Sequence, residues 1–295
     1  PELGAYGSRA VTPNIDRLAD SGLRFDRAYC TQAVCGASRL SLMTSLYPEY
    51  TEERTSHVSN WRNRHPDWIT LNQLFKDSGY TTYGVGKIFH AWDGLDADKN
   101  NWSQWVNTEG LRYVNPDTMD RAREMAESLG KEFVRGPTTE IGLAENAEEI
   151  YFDGWRAREG ARLLGRAAAK EEPFFVAVGF SLPHLPFAAP KKYWDLYERD
   201  SFSMPDNLGI PPCYPVYAAN QRPGEMRNYA DVPLGVNPKE FPEEMNKRLI
   251  HGYLASVSYT DRNVGILLEA LEKSGKADNT IIVFWSDHGW KLGDH

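Results

Sequence analysis

The chain has 295 residues, 41% of them hydrophobic and 25% charged, enough for one large α/β domain with a substantial core. A formal net charge of −8 argues against a nucleic-acid binder, which would show a basic face, and no apolar run approaches the roughly 18 residues of a membrane span. Cys30, Cys35 and Cys213 are an odd count without metal-finger spacing, so they set no disulfide framework, although a Cys30–Cys213 bridge is compatible with an exported protein.

The predicted elements run as follows. Thr12 as N-cap, Pro13 at the first helical position and Gly22 as C-cap bound a short helix. An apolar helix begins near Cys35 and carries Arg39 four residues later on the same face. A helix N-terminus offers unpaired N–H groups to an anion, so this pairing reads as a nucleophile facing an anionic group. The alternative is a small buried hydrophobe.

Thr70 and Gln73 form a capping-box pattern ahead of a helix ended by Gly79, and Tyr80–Val85 alternates as a strand. Residues 91–150 lack a sustained period and read as an insertion with one helix near Asp117–Leu129. They hold Trp92, Trp102 and Trp105, suited either to stacking on sugars or to anchoring a loop, and the sequon Asn101-Trp102-Ser103. A helix over Trp155–Lys170 leads to Phe174–Gly179, a continuous apolar run of the kind found in buried parallel strands. Residues 201–245 hold eight prolines and read as a wrapping surface segment. Met245–Lys273 is a long one-faced helix, and Thr280–Trp285 a further apolar strand. Helices alternating with apolar strands predict an α/β fold, a mostly parallel central sheet sandwiched by helices, with chemistry at the carboxyl ends of the strands.

Four motifs lie where that rule places chemistry. Cys35-Gly36-Ala37-Ser38-Arg39 resembles the Cys-x-Pro/Ala-x-Arg core of the sulfatases of the alkaline-phosphatase-like superfamily. Gly86-Lys87-Ile88-Phe89-His90 is similar to the iduronate-2-sulfatase branch. Pro183-His184-Leu185-Pro186 and Ser286-Asp287-His288-Gly289 resemble the family's histidine loop and metal pair. In this chain Ser181 and Leu182 stand where human-type iduronate sulfatases carry a histidine and a lysine.

The resemblance implies a sulfuric ester hydrolase acting on a sulfated sugar. Cys35 would be oxidised by a formylglycine-generating or sulfatase-maturating enzyme to 3-oxoalanine (Cα-formylglycine), whose hydrate attacks sulfur. It implies one Ca2+ per site held by Cys35, Asp287 and His288. Arg39 and Lys87 would stabilise sulfate oxygens, His90 would support the nucleophile, His184 would serve the leaving oxygen, and Trp290 would touch the sugar. Iduronate 2-sulfate in glycosaminoglycans is the first substrate expected, with sulfated algal polysaccharides as a rival. A phosphodiester or phosphonate monoester hydrolase and a non-catalytic sulfated-glycan binder are the alternatives. The resemblance further implies that residues 1–295 are a catalytic domain incomplete at both ends. The paired aspartates would lie before Pro1, the last lysine and a C-terminal subdomain after His295, and an export signal upstream, for a periplasmic, secreted or lysosomal protein.

Overall fold

The computed structural model describes residues 2–55, 58, 60–90, 97–143, 148–204, 224–235 and 241–290. Within them lie α1 (Pro13–Ser21), α2 (Cys35–Thr44), α3 (Pro48–Thr51), α4 (Trp61–Arg64), α5 (Leu71–Asp77), β1 (Thr81–Gly86) and β2 (Gln104–Val106). Then follow α6 (Thr118–Ser128), β3 (Thr139–Ile141), α7 (Phe152–Ala168), β4 (Phe174–Gly179), β5 (Phe187–Ala189), α8 (Lys191–Trp194) and α9 (Glu243–Lys273).

All the described ladders are parallel. The larger sheet has the order β2-β1-β4, and β3 pairs with β5 in a second, two-stranded sheet. Alternation decides which side chains meet which layer. Tyr83 and Val85 of β1, with Val176 and Val178 of β4, face Leu163 and Ala167 of α7. Phe175 and Ala177 turn the other way, toward Leu40 and Met43 of α2, Trp61 and Trp102. The sheet is thus covered on both faces, as its sequence predicts. The 31-residue α9, about 46 Å long, supplies the second core, where Ile250, Tyr253, Leu254 and Val257 pack with Phe187.

Several expectations are corrected. Thr70 is the N-cap of α5 by position, yet its hydroxyl makes no capping bond and instead binds the buried Asp98 carboxylate. Asp98 also pairs with Arg62 at 2.8 Å, and this burial outcompetes the local cap. Thr12 likewise donates to Asp16 at 2.8 Å rather than capping α1 through its side chain. The segment 91–150 contributes β2 to the main sheet, a strand too short to show a period. Trp102 is buried against Phe175, so of the two readings it takes the anchor; Trp92 lies outside the described residues. The sequon is occupied internally, since the Asn101 amide donates to Asp98 at 2.7 Å and Ser103 accepts from the Thr82 N–H at 3.0 Å. Thr280–Trp285 joins no ladder among the described residues, and Ile281 is 91% exposed. An apolar, β-rich run carries strand propensity but does not itself supply a hydrogen-bonding partner. Cys213 lies outside the described residues, and Cys30 is an exposed free thiol.

One buried ion pair fixes the loop after β4. Asp153 and Arg156, on the first turns of α7, pair at 2.7 Å with side chains 1% and 0% exposed. Asp153 also accepts from the Ser181 N–H at 2.9 Å and the Leu182 N–H at 2.7 Å. Removing the acid would strand a buried guanidinium and free that loop. Asp153→Ala is therefore expected to cost about 3–5 kcal/mol, read as a lowered midpoint in urea unfolding.

Candidate active site

The parallel pairing of β1 with β4 runs from Thr81↔Phe174 to Gly86↔Gly179, so both strands end at the same level. At that end the backbones approach closely: the Lys87 N–H donates to the Gly179 carbonyl at 2.8 Å. Gly86 has φ +84, and a Cβ there would strike the Gly179 carbonyl oxygen, so glycine is required on both conformational and steric grounds. Lys87 and His90 follow one strand, and His184 follows the other through the proline-bounded loop.

Cys35 is the first residue of α2 and is buried, 7% exposed, with its thiol turned toward these loops. His288 Nε2 lies 2.9 Å from Cys35 Sγ, and Lys87 Nζ lies 3.9 Å from it. Burial pushes the thiol pKa up, but hydrogen bonds with His184, His288 and His90 and the Lys87 charge outweigh it and bring the value down to about 4. Burial likewise opposes protonation of His184. Hydrogen bonds with Cys35 and Glu225, the latter at 3.2 Å, overcome it and lift His184 to about 9. Burial raises the Glu225 carboxyl, yet His184 and Arg135 hold it at about 2. His288 is raised chiefly by its bond to Cys35, and Lys87 is lowered by burial and by Arg39.

Arg39 has a different set of partners. Its Nε donates to Asp287 Oδ2 at 2.7 Å, and Nη1 donates to the Lys87 carbonyl and, at 3.2 Å, to that of Ile88. Ser38 adds a bond to the Asp287 carbonyl at 2.7 Å. The four-residue spacing thus aims Cys35 and Arg39 at one loop, with Arg39 clamping the end of β1 to Asp287. Asp287 and His288 sit beyond the last apolar run, where a loop lets neighbours converge.

Beside Cys35 opens a cavity of about 440 Å³, lined among others by Lys87, His90, Arg112, Arg135, His184 and Glu225. Trp290 is not in that lining: it packs edge-on against Phe187 and His184, with ring centroids 6.1 and 6.4 Å apart. The structure therefore brings Cys35, Lys87, His90, His184, Asp287 and His288 into one constellation, with Arg39 and Trp290 behind it. Sequence reasoning missed Glu225, Arg135 and Arg112. They lie in stretches without periodicity or motif, and only their convergence in space marks them.

Cys35, Asp287 and His288 present ligand atoms all within 4.8 Å of one another, the arrangement that could hold a metal ion. One carboxylate, one imidazole and the cysteine position do not by themselves fit calcium, which takes about 6–8 oxygens. The Asp287 carboxylate is, moreover, already neutralised by Arg39.

Comparison with known proteins gives these features a family. The family model described as Sulfatase matches residues 1–295. The chain is 33% identical over 299 residues to iduronate 2-sulfatase of Mus musculus, covering 100% of this chain and 53% of that protein. It is also 33% identical over 314 residues to iduronate 2-sulfatase of Homo sapiens, covering 100% and 54%. It thus spans about half the length of these curated relatives. Among solved structures, the phosphonate monoester hydrolase of Agrobacterium radiobacter superposes with a TM-score of 0.69 at 21% identity. That match covers 100% of this chain and 61% of the other, and it establishes a shared fold. With a parallel sheet flanked by helices, a cysteine at a helix N-terminus and a matching model along its whole length, the chain belongs to the sulfatase family.

Proposed function

We propose that this chain is the catalytic part of a sulfuric ester hydrolase that releases sulfate from a sulfated saccharide. The observation that carries the reading is the Cys35 thiol at the head of α2, ringed by His288, Lys87, His184 and His90 at the carboxyl ends of two parallel strands. Family membership and 33% identity to two iduronate 2-sulfatases support it and point to 2-O-sulfated uronic acids as the substrate. The reading includes export and an encounter with a maturating enzyme. Among the described residues no helix is long and apolar enough to cross a membrane.

In this proposal Cys35 is converted to Cα-formylglycine, which when hydrated supplies an attacking oxygen and a second hydroxyl for expelling sulfate. The chain's own groups do the rest. Lys87, buried beside Cys35, presents a point charge to sulfate oxygens in a low-dielectric pocket. His184, paired with Glu225 at 3.2 Å, is the group placed to give a proton to the leaving saccharide oxygen. His90 hydrogen-bonds at the nucleophile position. Arg39 is a positioning residue, fixing Asp287 and the Lys87 backbone. Calcium belongs to the reading through the family, with Asp287, His288 and the Cys35 position as the described contributors.

Two outcomes are expected. Produced beside a maturating enzyme, the full-length protein should yield a tryptic peptide Ala28–Arg39 carrying the aldehyde at Cys35 and an unmodified Cys30. It should then release sulfate from a 2-O-sulfated uronic disaccharide, whereas Cys35→Ala should not; a persistent thiol and no sulfate release would refute the reading. Unconverted protein should show a thiolate signature, with alkylation of Cys35 by iodoacetamide nearly constant from about pH 8 to about pH 5. The rate should fall only as pH drops through about 4, where the thiolate is protonated.

A further inference from the structure

The charges around the cavity do not cancel. Asp153 is committed to Arg156, and Glu225 to His184 and Arg135. Lys87 lies against Cys35. Arg112 and Arg227 also line the cavity, and neither has a carboxylate partner among the described residues. Both are exposed at the cavity rim, on segments whose backbone is fixed. The Arg112 backbone follows Leu111, which bonds to Ile150 at 2.7 Å and to Phe152 at 3.0 Å, and its guanidinium lies 6.0 Å from the Phe152 ring. Arg227 donates Nη1 to the Gly224 carbonyl at 2.8 Å, and its own carbonyl accepts from Lys131 Nζ at 2.9 Å. Arg112 is close enough to this turn for its charge to act on Tyr229.

In a chain of net charge −8, two arginines without acidic partners in one cavity represent a local concentration of cation. A single sulfate ester at Cys35 would meet Lys87 and the histidines beside it, whereas Arg112 and Arg227 come from other segments of the cavity wall. A planar fork of donors suits a carboxylate or a further sulfate. We propose that Arg112 and Arg227 form a second anion subsite that selects saccharides carrying another acidic group beside the scissile sulfate. The inference rests on the sulfate-ester reading for its substrate class.

The test uses the full-length, converted protein and two pairs of probes. One pair is a 2-O-sulfated uronic disaccharide and its carboxyl-reduced counterpart; the other is a disulfated and a monosulfated glucosamine. The wild type should prefer the doubly anionic member of at least one pair. Arg112→Ala/Arg227→Ala should reduce that preference, as a ratio of kcat/KM values, about 10-fold or more. The pair affected identifies the second group as carboxylate or sulfate. Arg121→Ala/Arg166→Ala, removing equal charge outside the cavity, should preserve the ratio. An unchanged preference in both pairs, or an equal loss in the control, would overturn the subsite. Equilibrium binding of the same probes to the Cys35→Ala protein and its arginine variants separates the two failures. Absent sulfate release with arginine-dependent binding sinks only the hydrolase reading, and binding indifferent to Arg112 and Arg227 sinks the subsite.

Discussion

Everything at the site depends on the in-register parallel pairing of β1 and β4. Parallel strands present their carboxyl ends on one side, and here two glycines let the backbones close together where the ladder ends. Lys87, His90 and His184 therefore emerge within reach of one thiol, although 97 residues separate the first from the last. A slip by one residue would turn Val85 and Val178 away from α7 and misplace all three polar groups together. Packing and chemistry are thus specified by the same register.

A second layer holds the loops that leave this edge. Arg39 ties α2 to Asp287 and to the backbone after β1, and Asp153 ties α7 to the backbone after β4. Each tie uses a charge that is largely removed from water and matched by a counter-charge. Such pairs contribute little net stability compared with an apolar contact, but losing one member is expensive. They serve instead to define geometry. Glu225 acts in a similar way on His184, pairing with its half-buried imidazole at 3.2 Å.

Much of this was legible in the sequence. Glycine and proline signals marked the ends of α1 and the end of α5, a one-faced pattern gave α9, and alternation and an apolar run gave β1 and β4, because these elements are long enough to express a pattern. Three of the four motifs fell at strand ends or a helix head, and the fourth, Ser286–Gly289, follows an apolar run that forms no ladder among the described residues. What stayed hidden depended on tertiary competition. Thr70 looked like a cap until Asp98 claimed its hydroxyl, and Asn101 looked like a surface sequon until the same acid claimed its amide. Glu225 and Arg135 belong to aperiodic segments, where only the folded chain reveals a partner. Thr280–Trp285 shows the opposite error: strand-like composition in a segment with no ladder among the described residues.

That last segment shows how little composition alone decides. Ile281-Ile282-Val283-Phe284-Trp285 is apolar and free of charge or proline, and all five side chains are exposed. Such residues suit a pleated surface, whereas a strand exists only where a neighbour exchanges hydrogen bonds with its N–H and C=O groups. A ladder is therefore a property of two segments and never of one.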